Sequence, residues 1–171
     1  VYTGPSIQEI YSHTDQILRM PDPLSLCLKS PADYPKGRFR LKICFETPFR
    51  FMNGDRGVPD HLPFNVLAKA LMRRTSFLLS CYGEGNPDLD YRGLAKRAEA
   101  VRTAENHLIW TDWRRYSRRQ KKDMRLGGMA GDAVYEGNLG EFMPFAEFCE
   151  TVHAGKNTAF GLGKMNLEIL S

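Results

Sequence analysis

The chain has 171 residues, of which 42% are hydrophobic and 26% charged, and a net charge of +4. That length fits one domain with a short appendage, and the composition excludes a disordered, collagenous or coiled-coil chain. No uninterrupted apolar run approaches the roughly 20 residues of a membrane span. Neither a charged head nor an apolar stretch follows Val1, so the sequence predicts no signal peptide, no membrane partner and a cytoplasmic location. Because it opens on Val1 and not on Met, the chain is read as a fragment with something missing upstream. Cys27, Cys44, Cys81 and Cys149 lie far apart without a CxxC pair, which predicts reduced thiols and no zinc site.

Residues 1–37 are poorly periodic and hold Pro5, Pro21, Pro23, Pro31 and Pro35. They read as a leading segment or linker from an absent N-terminal domain, with one short strand at Leu24–Lys29. A domain over residues 38–171 then begins. Phe39, Leu41, Ile43 and Phe45 alternate with Arg38, Arg40, Lys42 and Cys44, the pattern of a strand with one apolar and one basic face. Thr47-Pro48 interrupts it, since Pro48 cannot donate to a ladder.

Phe64, Leu67, Ala68, Leu71, Thr75, Leu78, Leu79 and Tyr82 follow helical spacing, with Pro63 at the start and Gly83 at the end. A turn over 84–90 and a short helix over roughly 91–102 come next. Residues 107–118 are rich in aromatic and β-branched types and predict a strand. A second strand over about Gly128–Tyr135 returns antiparallel to it, and the hairpin tip at Gln120–Asp123 projects beyond the sheet. Gly127, Gly128 and Gly131 predict bulges or close backbone approach.

A second amphipathic helix covers about 141–153, with Phe142, Phe145, Ala146, Cys149 and Val152 on one face. A glycine-rich loop, 153–164, leads into a last strand carrying Met165, Leu167 and Ile169. Strand, helix, strand, strand, helix, strand predicts an α+β fold: the ferredoxin-like βαββαβ plait, also that of RRM domains, with two helices on one face of an antiparallel sheet.

The charge is unevenly spread. Residues 113–125 hold seven Lys/Arg and one Asp, a local charge of +6, which leaves the other 158 residues at −2. Arg114, Arg115, Arg118, Arg119, Lys121 and Lys122 can neutralise phosphates, while Trp113 and Tyr116 can stack on unpaired bases. A solvated charged hairpin is the plainer alternative, but such faces usually mix signs.

The loop is not a nucleotide site. Thr158 stands where a P-loop needs glycine, Met165 follows Lys164 where Ser or Thr is needed, and the loop leaves a helix to enter a strand. No nucleotide or other cofactor is therefore predicted. Gly155, Gly161 and Gly163 allow close backbone approach, with N–H groups for phosphate oxygens, and Lys156 and Lys164 add charge. A helix C-cap followed by a strand bulge explains the same glycines. His13, His61, His107 and His153 show no metal-ligand spacing, and His153, at the mouth of the loop, is the one candidate for acid–base work.

The run Tyr116-Ser-Arg-Arg-Gln, then Leu126-Gly-Gly, Gly131, Tyr135-Glu-Gly, Leu139, Phe142, Pro144 and finally His153-Ala-Gly-Lys-Asn-Thr-Ala-Phe-Gly-Leu-Gly-Lys164 resembles the C-terminal half of CRISPR precursor-RNA processing endoribonucleases of the RAMP superfamily. Thr47-Pro48 after a strand, and Phe64 followed by Arg73-Arg74, fit the same resemblance, which covers roughly residues 38–171. It implies two tandem ferredoxin-like domains, the C-terminal one placing the glycine-rich loop beside CRISPR repeat RNA. It also implies metal-independent cleavage, in which a 2′-hydroxyl attacks the adjacent phosphate and leaves a 2′,3′-cyclic phosphate with help from general acid–base groups. RNA contact is carried over to Gly155, Lys156, Gly161, Gly163 and Lys164, and no catalytic residue is carried over, because the histidine of many members lies in the other domain. Partners implied are repeat RNA and other CRISPR-associated proteins. Two alternatives stay open: a non-catalytic RAMP subunit coating guide RNA in an effector complex, and a ferredoxin-like RNA-binding domain outside CRISPR.

Overall fold

The structure, a computed structural model, describes residues 2–3, 6–7, 9, 11–20, 26–51, 60–83, 85–118 and 121–170. Two short strands, β1 (Tyr2–Thr3) and β2 (Ser6–Ile7), pair with each other ahead of the main sheet. Then follow β3 (Arg38–Phe49), α1 (Phe64–Tyr82), α2 (Tyr91–Arg97), β4 (Arg102–Asn106) and β5 (Ile109–Thr111). The chain continues through β6 (Arg114–Ser117), β7 (Lys122–Arg125), β8 (Gly128–Asn138), α3 (Met143–Val152) and β9 (Met165–Leu170). The main sheet is antiparallel in the order β4-β8-β3-β9, with β5 pairing β8 beyond β4. The first and third strands of the βαββαβ unit, β3 and β8, thus lie at the centre, as in a ferredoxin-like plait.

One face of the sheet is buried. Leu41, Ile43 and Phe45 of β3, Ala133 and Tyr135 of β8 and Met165 of β9 pack against Phe64, Leu67 and Leu71 of α1 and Phe145, Ala146 and Cys149 of α3. Burial of each large apolar side chain contributes about 1.5–3 kcal/mol. Phe64 is the pivot of this core, its ring 5.2 Å from Tyr135 and 5.1 Å, edge-on, from Phe142. The buried Tyr135 hydroxyl donates to the Leu62 carbonyl at 2.9 Å, so the core holds no stranded donor there.

The other face of β3 is less basic than its sequence predicts. Arg38 pairs with Glu136 at 3.3 Å, Arg40 with Glu105, and Lys42 with Asp132 at 3.9 Å. Arg102 also reaches Glu136, at 2.6 Å. Carboxylates on β4 and β8 neutralise the cations of β3, and the open sheet face is a lattice of mixed charge.

Several local expectations are revised. The predicted strand Leu24–Lys29 falls partly outside the described residues, and Leu26–Lys29 form no strand. Instead Leu28 and Tyr34 pack on the core, and Lys29 reaches Glu147 of α3 at 2.6 Å. The short helix stops at Arg97, followed by one 3-10 turn, and β4 starts at Arg102. The predicted strand 107–118 is divided into β5 and β6, and only β5 belongs to the sheet. Gly83 ends α1 in an extended conformation (φ −115°), and glycine is needed there because a Cβ would stand 2.9 Å from the Leu79 carbonyl oxygen.

Candidate nucleic-acid interface

The glycine-rich loop is built into an irregularity of β3. The ladder between β3 and β8 steps from Phe45↔Gly131 to Phe49↔Met129, so β3 carries two extra residues in that stretch. Freed from the ladder, Glu46 and Thr47 donate their N–H groups to the Lys164 carbonyl at 2.9 and 3.4 Å. The Thr47 hydroxyl donates to the Gly161 carbonyl and accepts from the Lys164 N–H, both at 2.8 Å. The Gly163 N–H reaches the Pro48 carbonyl at 3.1 Å, and the Lys156 N–H reaches the Arg50 carbonyl at 2.8 Å. Thr47-Pro48 therefore bulges the strand, which runs on to Phe49, and the bulge is the socket of the loop.

This corrects the expected amide cradle. The N–H groups of Lys156, Gly161, Gly163 and Lys164 all bond within the protein, Gly161 to the Thr158 carbonyl at 2.9 Å. Two of the glycines serve packing: a Cβ on Gly163 would lie 1.7 Å from the Ala154 oxygen, and one on Gly155 would lie 2.6 Å from the Arg50 oxygen. Gly161, with φ +80° and open space beside it, is required by its turn alone. What the loop offers outward is side chains, among them the exposed Lys156 and Phe160.

The basic stretch forms a separate two-stranded hairpin of β6 and β7, pairing Arg115 with Met124 and Tyr116 with Asp123. Among its described side chains, Arg114, Arg115, Arg118, Lys121 and Lys122 are exposed, as are Tyr116 and Trp113 at 59% and 46%. Arg119 lies outside the described residues. Arg114 has Asp112 at 3.6 Å. The Arg115 guanidinium lies 4.9 Å from the centre of the Phe160 ring. That cation–π contact brings hairpin and loop together. Arg50 ties the same parts from beneath: its carbonyl holds Lys156, and its guanidinium donates to the Gly127 carbonyl at 3.3 Å. Gly127 and Gly128, where the hairpin rejoins the sheet, leave no room for a Cβ against Thr111 and Phe49.

His153 follows α3 with φ +62° and is half-buried. Its Nδ1 faces the Leu162 carbonyl at 3.3 Å. A carbonyl only accepts, so Nδ1 carries the proton and Nε2 is the unprotonated nitrogen of the neutral ring. Nearby, Lys164 is paired with Glu46 at 2.5 Å. The hydrogen bonds from Lys164 and Asn166 hold the Glu46 carboxyl below its ordinary range. Lys164 thus faces a carboxylate, whereas Lys156 has no carboxylate partner among the described residues. Among the described residues no group of three or more His, Cys, Asp or Glu is placed to hold a metal ion, and no helix is long and apolar enough to cross a membrane.

Sequence reasoning missed Phe160 as the platform for Arg115 and Arg50 as the strut. An aromatic residue between loop glycines was a readable signal for the first. Arg50 had none, because its partners lie far away in sequence.

A βαββαβ plait with an arginine-rich hairpin seated on a glycine-rich loop defines a protein of the ferredoxin-like fold class. The family model of the CRISPR-associated endoribonuclease Cas6 matches residues 43–165, and the chain belongs to that family. No curated protein matches it. Among solved structures, the Cas6 of Thermus thermophilus is 15% identical at a TM-score of 0.56, over 81% of this chain and 56% of that one. A Cas6 product complex is 16% identical at 0.56, over 81% of this chain and 54% of that one. A partial Cas6-RT-Cas1–Cas2 complex is 17% identical at 0.54, over 77% of this chain and 22% of that one. At these identities the likeness is one of fold. The chain spans about half the length of the Cas6 structures it matches.

Proposed function

We propose that this domain holds CRISPR repeat RNA for a metal-independent endoribonuclease that cuts repeat transcripts into guide RNAs. The observation that carries the reading is the seating of Arg115 on Phe160, which makes one cationic surface of hairpin and loop in a chain of the Cas6 family. Arg114, Arg115, Arg118, Arg119, Lys121 and Lys122 neutralise phosphates of the repeat, and Tyr116 and Trp113 stack on unpaired bases. Lys156 adds a cation at the loop, while Gly155, Gly161 and Gly163 give the loop its shape and Lys164 pins it to Glu46. The contacts are to phosphates from side chains, because the amides of Lys156, Gly161, Gly163 and Lys164 are committed within the protein.

Attack by a 2′-hydroxyl needs one group to take a proton and another to give one to the leaving oxygen, both within reach of a single phosphate. His153 offers one nitrogen, Nε2, and its Nδ1 is occupied by the Leu162 carbonyl. The domain therefore supplies binding and charge stabilisation, with proton transfer supplied by the rest of the enzyme. Other CRISPR-associated proteins are proposed as partners on the likeness to a chain of a Cas6-RT-Cas1–Cas2 complex, and the cytoplasm as the place of action. Electrophoretic or anisotropy titration of a labelled repeat stem-loop tests the reading: tight, salt-sensitive binding that exceeds that of an unrelated RNA is expected, and equal weak binding of both overturns it.

A further inference from the structure

Helix α1 carries a row the RNA site above does not use. Lys69, Arg73 and Phe77 stand at i, i+4 and i+8 and are exposed, Phe77 at 58%. Lys69 and Arg73 lie about 6 Å apart along the axis, a spacing that suits neighbouring phosphates of an extended strand. Their position is opposite to the buried stripe of Phe64, Leu67 and Leu71, so packing of the core does not account for them.

The row is a ridge between two clefts. One, of about 480 Å³, separates α1 from the loop, and its far wall is Arg50, Phe51, Gly155 and Lys156. The other, of about 320 Å³, separates α1 from α2 and presents Ser76, Asn86 and Tyr91. Lys69 and Arg73 line both, and among the described residues neither is lined by a carboxylate. On the open sheet face, by contrast, each β3 cation described above has an acidic partner. At the first cleft Arg74 donates to the Val152 carbonyl at 2.9 Å, and its buried Nε has no hydrogen-bond partner among the described residues. Lys69, Arg73 and Lys156, two phenyl rings and a buried N–H without a described acceptor, in clefts of nucleotide size, fit a strand with its bases unstacked.

We propose that the groove across α1 binds an unpaired stretch of RNA leaving the stem held by the hairpin, with phosphates on Lys69, Arg73 and Lys156 and a base against Phe77. The inference rests on the RNA-binding reading and extends it to a second, single-stranded subsite. It divides the repeat into a stem read by β6 and β7 and a flank read by α1.

The test compares two labelled RNAs by fluorescence anisotropy: a CRISPR repeat stem-loop, and the same stem-loop with about six unpaired nucleotides added, at the 5′ end in one version and the 3′ end in another. The wild-type chain is expected to bind one extended RNA roughly tenfold or more tightly than the bare stem-loop. The triple variant Lys69→Gln, Arg73→Gln, Phe77→Ala loses that advantage and lowers the salt slope for extended RNA by about 1.4, while stem-loop affinity stays the same. All three side chains are exposed, and an unchanged thermal melt verifies the fold. Phe77→Ala alone loses part of the advantage without changing the salt slope. Absence of any gain from an extension, with the stem-loop bound, overturns this inference alone. Equal loss on both RNAs overturns it too, since α1 would then serve the stem. Oligoglutamate that displaces extended RNA as well as RNA of equal charge overturns it in favour of an acidic protein segment. Binding of neither RNA overturns both readings.

Discussion

The Arg115 guanidinium rests 4.9 Å above the Phe160 ring, and this contact joins a hairpin outside the main sheet to the loop between α3 and β9, above the Arg50 strut. A two-stranded ribbon is marginal by itself in water. Its orientation depends on what its base touches. In the proposed function Arg115 has two uses: its cation belongs to the surface offered to phosphates, and its stacking on Phe160 sets where that surface points.

Removing either partner should therefore cost both stability and binding. A double-mutant cycle of Arg115→Ala and Phe160→Ala, read by urea unfolding, is expected to give a coupling of about 0.5–1 kcal/mol. Phe160→Ala should weaken RNA binding although it removes no charge. Unchanged affinity in Phe160→Ala would show that the hairpin is positioned by other contacts.

The loop glycines are expected to separate by substitution. Gly163→Ala places a Cβ 1.7 Å from the Ala154 oxygen at φ +75°. Strain and overpacking together should cost about 3 kcal/mol or more. Gly161→Ala meets open space at φ +80°, so only the left-handed penalty of about 1 kcal/mol applies. Equilibrium unfolding of the two variants checks the order, and equal costs would refute it.

Glu46 predicts a pH dependence of known sign. Its folded pKa lies below the unfolded one, first through the Lys164 hydrogen bond and then through Asn166. The stability it contributes is present above the ordinary carboxylate range and is lost as pH falls through its lowered value. Lys164→Ala should move the Glu46 titration, followed by NMR, back toward that range. A titration that does not move would contradict the pairing.

Thiol chemistry reports on burial. Cys149 is buried between α1 and α3, and burial pushes its thiol up to about 12. Cys27 and Cys81 are exposed. A thiol reagent at neutral pH should label Cys27 and Cys81 quickly and Cys149 only after unfolding. Fast labelling of Cys149 in the folded protein would show that the packing of α1 on α3 opens.

Much of this was readable in the sequence, for identifiable reasons. Helix α1 was legible from Phe64 to Tyr82 because one unbroken apolar stripe faces the sheet. Strand β3 was legible from strict alternation, and its pairing with β8 and β9 from the order of elements. Strand β4 was not legible: Arg-Thr-Ala-Glu-Asn at 102–106 has no apolar alternation, since it pairs with β8 at the sheet's border through its backbone. The division of 107–118 was hidden too. Leu108 turns into the core between β4 and β5, and the chain leaves the sheet after Thr111. Gly127, Gly128 and Gly131 correctly marked close backbone approach. That the amides of Gly163 and Lys156 are spent on Pro48 and Arg50 depends on partners about a hundred residues away, which no local pattern contains. The same holds for the acids of β4 and β8 that neutralise the basic face of β3.

The hairpin cations should dominate the electrostatic part of binding. Changing Arg114, Arg115, Arg118 and Arg119 together to Ala is expected to lower the salt slope by about 3 and to weaken stem-loop binding strongly at low salt. An unchanged slope would remove the hairpin from the RNA surface.

The division of labour is tested most directly by incubating the 171-residue chain with labelled repeat RNA in EDTA and measuring binding and cutting on the same sample. The account predicts a bound, intact RNA, or cutting so slow that it is insensitive to His153→Ala, because positioning and charge are present without a complete pair of proton-transfer groups. Rapid cutting to a 2′,3′-cyclic phosphate that disappears in His153→Ala would contradict it and place the acid–base chemistry within this domain.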